Sequence, residues 1–122
     1  MARRVLLIED EPNIIEAISF ILTRDGWTVH THAEGDTAAA RVRAHVPDLV
    51  ILDVMLPGAS GFDVLRELRA HDETAALPVM MLSARGQQKD REMAERLGAT
   101  DYMTKPFSNA EILQNVRRLA GD

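Results

Sequence analysis

The sequence predicts an α/β domain in which five helices cover both faces of a doubly wound, five-stranded parallel sheet. Five short apolar segments alternate with five stretches of helical period along the 122 residues. Three of the segments, at 5–8, 49–52 and 79–82, are continuously apolar, which is typical of parallel strands buried on both faces. Weaker segments at 27–29 and 101–103 supply the other two strands. Right-handed crossovers between parallel strands then place helices on both sides of the sheet.

The helices are predicted from apolar side chains that recur every three or four residues between the strands. Several of these stripes end at residues that commonly stop a helix, such as Gly26, Pro47 and Gly98. Pro12 stands where the first turn of a helix tolerates a proline. The five stripes consist of Ile14, Ile15, Ile18, Ile21 and Leu22, then Ala38, Ala39 and Val42, then Phe62, Val64, Leu65 and Leu68, then Met93, Ala94 and Leu97, and finally Ile112, Leu113, Val116 and Leu119.

The composition limits both the core and the function classes. Hydrophobic residues make up 46% of the chain and aromatic residues only 4%, so the core must be aliphatic. A net charge of −5 argues against direct nucleic-acid binding by the domain, because phosphate contacts need a basic face. The absence of cysteine excludes disulfides, thiol catalysis and cysteine-ligated zinc. No apolar run is long enough for a signal peptide or a membrane span, and we expect one cytoplasmic domain over residues 1–122.

Polar side chains follow four of the five predicted strands at the point where each strand ends. In a doubly wound sheet the carboxyl ends of the strands form one edge, and function collects there. We therefore expect these side chains to converge, although each taken alone has a simpler interpretation, such as an acidic turn at a helix N-terminus. The set consists of Glu9, Asp10 and Glu11 after the first strand, Asp53 after the third, Ser83 after the fourth, and Thr104 and Lys105 after the fifth.

Converging carboxylates indicate either that some of them are protonated or that a cation lies among them. Two carboxylates about 4 Å apart repel by about 4 kcal/mol at an effective dielectric constant near 20. Oxygen ligands of this kind suit Mg²⁺, particularly where the ion also meets a phosphate. A cation, the Lys105 ammonium and the Ser83 hydroxyl together match the oxygens of a transferring phosphoryl group. Asp53, at the tip of the most apolar strand, is the best candidate for a carboxylate that accepts this group as an acyl phosphate.

Four stretches of the sequence carry a family resemblance, at 5–12 (VLLIEDEP), 49–58 (LVILDVMLPG), 82–84 (LSA) and 98–107 (GATDYMTKPF). In this order they resemble the receiver domain of two-component response regulators over essentially the full chain. The resemblance implies a flavodoxin-like fold with strand order 2-1-3-4-5. It also implies partners of two kinds, namely a sensor histidine kinase or phosphotransfer protein that supplies the phosphoryl group, and a downstream effector protein or domain.

The resemblance assigns roles to the residues of the predicted metal site. Asp53 resembles the phosphoacceptor and a metal ligand, and Asp10 resembles a direct metal ligand. Glu9 resembles the neighbouring acid that acts through water, and the backbone carbonyl of Met55 matches the third protein ligand of Mg²⁺. The family is not a conventional enzyme, because the domain catalyses phosphorylation and dephosphorylation of its own aspartate.

A second set of residues resembles the switch of the family. Ser83 matches the hydroxyl that follows the phosphoryl oxygen, and Lys105 matches the lysine that grips the phosphate. Tyr102 matches the aromatic residue whose rotamer reports the state, although a half-buried core tyrosine is the simpler interpretation of that position. The resemblance implies that movement of these side chains changes the surface formed by the fourth helix, the fifth strand and the fifth helix. By the same resemblance, the Lys105-Pro106 bond should be cis.

Two positions vary within the family and bear on how long the phosphoryl group persists. They are Met55 and Arg85, which in relatives adjust the access of water. An apolar Met55 offers no handle for an attacking water molecule. We therefore expect a phosphoryl lifetime at the longer end of the family's range.

Three other interpretations stay open at the level of sequence. The first is a constitutive protein-interaction module, although such domains usually lose one of the site residues that this chain retains. The second is an enzyme or nucleotide binder on the same fold, but no glycine-rich phosphate loop occurs. The third is a zinc site at His30 and His32, which lacks an evident third ligand. Asn115 stands where receivers attached to DNA-binding domains usually carry a basic residue that helps dimerisation, which favours a stand-alone receiver or another type of output, although the chain could equally be one domain of a longer protein. We expect a monomer or a phosphorylation-dependent dimer.

Overall fold

The computed structural model describes residues 3–84 and 86–121, so Arg85 lies outside the described residues. Five parallel strands form one sheet in the order β2-β1-β3-β4-β5. This arrangement confirms the predicted doubly wound sheet and its strand order. The strands are β1 (Arg3–Ile8), β2 (Trp27–His32), β3 (Leu49–Asp53), β4 (Val79–Ser83) and β5 (Asp101–Thr104).

A helix follows each strand, as the apolar stripes predict. Pro12 opens the first helix, the Ser60 hydroxyl accepts the Asp63 N–H at the start of the third, and Ser108 and Glu111 form a capping box on the fifth. Gly98 follows the fourth helix with φ +96°, a left-handed conformation that glycine adopts without strain. The helices are α1 (Pro12–Arg24), α2 (Ala38–His45), α3 (Gly61–Ala70), α4 (Gln88–Arg96) and α5 (Asn109–Leu119).

The three central strands separate two aliphatic cores. Alternate side chains of β1 point to opposite faces, so Leu6 and Ile8 pack with α2, α3 and α4 while Val5 and Leu7 pack with α1 and α5. All five residues of β3 and of β4 are buried. This double burial is why these strands are continuously apolar in sequence, and it holds their carboxyl ends in a rigid frame.

The edge strand β2 is more polar than its neighbours, and it carries the two histidines for which zinc was considered. The His30 ring lies against the His45 ring with centroids 4.7 Å apart, and His32 Nε2 is 2.7 Å from the Thr37 hydroxyl oxygen. Within residues 3–84 and 86–121, neither histidine belongs to a group of three or more potential ligands. The zinc interpretation therefore gains no support.

Candidate functional site

The candidate site lies at the carboxyl edge of the sheet, where β1, β3, β4 and β5 end side by side. The Lys105 N–H donates to the Ser83 carbonyl at 2.8 Å, and the Val54 N–H donates to the Leu82 carbonyl at 2.9 Å. These backbone bonds extend the sheet by one residue beyond β5 and β3. They place the segments that carry Asp53, Ser83 and Lys105 next to one another, as the strand ends predict.

Three carboxylates converge at this edge. Glu9, Asp10 and Asp53 each offer an oxygen, and these atoms lie within 4.8 Å of one another. Glu9 and Asp53 are buried, whereas Asp10 is exposed. Glu9 Oε2 accepts the backbone N–H groups of Asp10 at 3.0 Å and Glu11 at 3.2 Å, which orients the carboxylate. A set of hard oxygen donors, open to solvent on one side, fits a partly hydrated Mg²⁺ ion.

The Lys105 ammonium lies among the acids. Its Nζ is 2.8 Å from Glu9 Oε1, 3.1 Å from Glu11 Oε1 and 3.4 Å from Asp53 Oδ1. Among the residues that the structure describes here, one positive charge thus faces three carboxylates, of which Glu9 and Asp53 are buried, and Asp10 adds a fourth acid nearby. These described acids carry more negative charge than Lys105 neutralises.

The crowding of negative charge changes how Asp53 titrates. Burial, a hydrogen bond with Glu9 and the charge of Glu9 raise the pKa of Asp53 to about 7, against the opposing effects of Lys105 and a backbone hydrogen bond with Met55. Burial alone would lower the pKa of Lys105, but Glu9, Asp53 and Glu11 together raise it above its usual value. Lys105 therefore stays positively charged at neutral pH, while Asp53 is poised between its two forms.

Two glycines that the sequence analysis did not single out hold the loops of the site in place. A Cβ on Gly61 would collide with the backbone carbonyl of Asp53, and the Gly61 N–H donates to the Val54 carbonyl at 2.8 Å. A Cβ on Gly35 would collide with the Ala59 carbonyl in the loop that follows β3. Close backbone approach is a common reason for glycine, but the sequence does not show what it approaches. The sequence signal that could have drawn attention to Gly61 is its position directly after Ser60, at the start of α3, but this signal does not identify the backbone that Gly61 approaches.

The other predicted residues lie around this centre. Ser83 is fully buried at the end of β4, and the side chain of Met55 is exposed. Tyr102 is half-buried beside the core, and the Arg91 guanidinium lies over its ring at 5.0 Å from the centroid. The ring lines a groove of about 440 Å³ between α4 and β5. The Lys105-Pro106 bond is cis, which confirms that prediction.

A parallel 2-1-3-4-5 sheet with an acidic cluster and a lysine at its carboxyl edge is the arrangement that the receiver-domain resemblance predicts. The sequence model of the response regulator receiver domain matches residues 5–117. The chain belongs to this family, the receiver domains of two-component response regulators. The family resemblance that the four motifs carry is therefore confirmed.

Similar proteins agree with this assignment. The phosphate regulon transcriptional regulatory protein PhoB of Escherichia coli is 40% identical over 117 residues, which cover 96% of this chain and 51% of PhoB. The chain spans about half the length of the curated relatives it matches. Homologues such as PhoB are transcriptional regulators that are about twice as long as this chain.

Solved structures share the fold over the whole chain. The receiver domain of the Pseudomonas aeruginosa sensor histidine kinase PA1611 has a TM-score of 0.91 and 31% identity, covers both chains completely, and has a magnesium ion coordinated in its active site cleft. The beryllofluoride-activated N-terminal receiver domain of Klebsiella pneumoniae RstA has a TM-score of 0.91 and 28% identity, and the match covers 98% of this chain and 100% of that one. Within residues 3–84 and 86–121, no helix has the length and apolarity needed to cross a bilayer.

Proposed function

We propose that this receiver accepts a phosphoryl group on Asp53 from the phosphohistidine of a sensor histidine kinase or phosphotransfer protein. The observation that carries the proposal is the placement of Asp53. Its carboxylate is buried at the end of β3, lies within the acidic cluster, and is 3.4 Å from the Lys105 ammonium. A buried carboxylate beside a fixed positive charge is suited to receive an anionic group that a solvated surface aspartate would not hold in place.

The transfer is a substitution at phosphorus. A carboxylate oxygen of Asp53 forms a bond to the phosphorus as the bond from the phosphorus to the histidine nitrogen breaks. The nitrogen leaves with the bonding electron pair and takes up a proton from solvent. The ionised form of Asp53 is the nucleophile, and its pKa of about 7 leaves about half of the metal-free protein in that form at neutral pH. Lys105 draws a phosphoryl oxygen towards it as charge moves.

The residues that would hold Mg²⁺ are the carboxylates of Asp10 and Asp53 and the backbone carbonyl of Met55, with Glu9 acting through a metal-bound water. Bound Mg²⁺ would neutralise these acids and withdraw charge from the phosphoryl oxygens. The cluster supports this assignment because its oxygens are close together and carry more negative charge than Lys105 balances. The magnesium ion in the cleft of the similar PA1611 receiver supports it further.

Phosphorylation then changes the surface of the domain. The new group brings about −2 charges to the site, which draws the Ser83 hydroxyl and Lys105 inwards. Movement of Ser83 leaves space into which the Tyr102 ring can turn, away from the Arg91 guanidinium that now covers it. The groove between α4 and β5, together with α5, is the surface that a partner recognises.

The partner that recognises this surface is another protein or another domain of the same polypeptide. The similarity to PhoB, a transcriptional regulatory protein, favours transcription control as the output. Asn115, which stands where a basic residue was expected in DNA-binding relatives, points to a dimer contact different from theirs or to a monomer. The net charge of −5 indicates that any contact with nucleic acid belongs to a separate domain.

The test is intact mass after incubation with acetyl phosphate and Mg²⁺. We expect one added phosphoryl group on the wild type, no adduct on Asp53→Asn, and an unchanged adduct on Asp63→Asn, which alters an exposed acid of α3 in the same way. The adduct should disappear when the metal is chelated. A wild type that gains no mass and binds no Mg²⁺ would favour the constitutive interaction module instead.

The lifetime of the adduct tests the role of Met55. Its exposed, apolar side chain offers no hydrogen bond to an attacking water molecule. We therefore expect slow hydrolysis in Mg²⁺ buffer and faster hydrolysis in Met55→Asn, which supplies an amide at the same place. The decay of the adduct mass with time measures both rates. A half-life of seconds that Met55→Asn leaves unchanged would contradict this expectation.

A further inference from the structure

The contact between Glu11 and Lys105 is not accounted for by the proposed metal site or by the proposed acceptor. Glu11 follows β1 by three residues and precedes Pro12, the first residue of α1. Its Oε1 lies 3.1 Å from the Lys105 Nζ, closer than Asp53 Oδ1 at 3.4 Å. Its side chain makes no capping hydrogen bond to α1, so the ion pair is not a by-product of helix capping.

Glu11 differs from the other two acids that contact Lys105. The side chains of Glu9 and Asp53 are 0% and 3% exposed, whereas that of Glu11 is 59% exposed. Glu9 and Asp53 also belong to the candidate metal cluster, and Glu11 does not. The Lys105 side chain is 10% exposed, and its ammonium lies between two inner acids that a cation would engage and one outer acid that lies outside the candidate metal cluster.

This arrangement sets up a competition for one ammonium group. Glu9, Asp10 and Asp53 would hold a divalent cation, which would neutralise the inner acids and would repel the positive charge of Lys105. Among residues 3–84 and 86–121, Glu11 is then the carboxylate that still pairs with Lys105. A phosphoryl group on Asp53 must draw the Lys105 ammonium away from Glu11 before the ammonium can contact a phosphoryl oxygen.

We propose that Glu11 is a positioning residue that holds Lys105 at the rim of the site while Asp53 is unphosphorylated. Glu11 thereby sets how readily Lys105 passes to a phosphoryl oxygen. The inference rests on the proposed function, because it concerns the same lysine and the same acceptor. It predicts that the negative charge of Glu11 favours the metal-bound, unphosphorylated state over the phosphorylated one.

Two equilibria measured on Glu11→Gln test the inference. One is Mg²⁺ binding alone, by calorimetry, and the other is beryllofluoride binding at saturating Mg²⁺, by fluorine NMR. In the variant, Glu9 and Asp53 are the described acids that still pair with Lys105, and the lysine competes more strongly for them. We therefore expect Mg²⁺ to bind more weakly, by roughly two- to fivefold, as the modest strength of exposed ion pairs dictates. Beryllofluoride should bind more tightly by a similar factor, because it no longer competes with Glu11. Glu16→Gln, which removes an exposed acid from α1, the helix that Glu11 precedes, should change neither equilibrium.

A merely structural role would not produce opposite changes in the two affinities. The inference is overturned if Glu11→Gln weakens both, strengthens both or changes neither. It is also overturned if the same shifts persist in a Lys105→Gln background, because Glu11 would then act without the lysine. A wild type that binds neither Mg²⁺ nor beryllofluoride would overturn the proposed function, and the inference with it. A wild type that binds both while the variant is unchanged overturns the inference alone.

Discussion

Asp53 lies at the carboxyl edge of the sheet, where the strands end, and Asp25 lies in a loop at the amino edge, where the strands begin. The two aspartates differ in how their charge is balanced. Asp53 ends β3 at the carboxyl edge, where it shares the Lys105 ammonium with Glu9 and Glu11. Asp25 follows α1 at the amino edge, where the Arg117 guanidinium donates to both of its oxygens, at 2.5 Å and 3.2 Å. The pKa of Asp53 is raised to about 7. The pKa of Asp25, in contrast, is held below its usual value by the hydrogen bonds that Asp25 accepts from Arg117.

The difference separates charge that stabilises the fold from charge that is available for chemistry. At the amino edge, Asp25 has a cation of its own, and Asp48 accepts the Arg4 N–H at 2.8 Å. At the carboxyl edge, the described acids outnumber the described cation that contacts them, so the folded protein holds charge that it would be more stable without. Such an imbalance is typical of sites that bind a cation or an anionic group. We therefore expect removal of an acidic charge to stabilise the protein at the carboxyl edge and to destabilise it at the amino edge.

The largest expected effect is a gain in stability when the charge of Asp53 is removed. In the metal-free protein at pH 8, we expect Asp53→Asn to raise the free energy of unfolding by up to about 4 kcal/mol. The pKa of Asp53 is higher in the folded state than in the unfolded state, so the wild type loses stability as the pH rises from about 4 to about 7. The gain should therefore shrink as the pH is lowered through that range. Urea titrations at several pH values measure it, and a variant less stable than the wild type at pH 8 would contradict the comparison.

The second expected effect is proton-linked binding of Mg²⁺. Because the metal binds the ionised carboxylate, protons compete with it below the Asp53 pKa of about 7. We expect the affinity to be about tenfold lower at pH 6 than at pH 8. Calorimetry in two buffers of different ionisation enthalpy also measures the protons released on binding. The pH dependence should be lost in Asp53→Asn, and equal affinities of the wild type at both pH values would refute the linkage.

A smaller gain is expected from a strained residue at the amino edge. Val46, which follows α2, has φ 46° and ψ 59° and an exposed side chain. Left-handed conformation costs a residue with a Cβ about 1–2 kcal/mol, and glycine avoids most of that cost. We expect Val46→Gly to raise the free energy of unfolding by about 1 kcal/mol, since glycine also loses more entropy on folding. Mg²⁺ affinity should not change, so a variant that alters it would show that the two edges are coupled.

The smallest expected effect is the loss of the Asp25–Arg117 pair. Both side chains are partly exposed, so screening limits the cost of Asp25→Asn to about 0.2–1 kcal/mol. The pKa of Asp25 is lowered by folding, so the pair stabilises the protein above pH 4 and its contribution is lost as the pH falls through the folded-state pKa. Chemical denaturation at pH 7 and pH 3 measures this change. A cost that does not decrease at pH 3 would show that the charge of Asp25 is not the cause.

Much of this fold and the location of its site follow from local features of the sequence. The run at 49–52 is continuously apolar because β3 is buried on both faces, and the apolar run itself is a local feature of the sequence. Asp53 was chosen as the candidate acceptor because parallel strands bring their carboxyl ends to one edge of the sheet. The structure places Glu9, Asp10 and Lys105 beside it. The roles assigned to Ser83, Tyr102 and the Met55 carbonyl remain predictions, since they concern a change of state.

The features that the sequence could not supply are distances between segments far apart in the chain. Glu11 and Lys105 are separated by 94 positions, and only the tertiary structure places them 3.1 Å apart. Gly61 packs on the carbonyl of Asp53, although a glycine after Ser60 has no local feature that identifies its contact. The raised pKa of Asp53 likewise depends on burial and on how near Glu9 lies.

By itself, the sequence determined the alternation of strands and helices, the two-sided core and the identity of the acids at one edge, because periodicity and strand ends are local properties. The tertiary structure decided how many carboxylates share one ammonium, which of them are buried, and therefore which aspartate has an unbalanced charge. The physical reason is that electrostatic energy depends on distances and on solvent exposure, which exist only once the chain has folded.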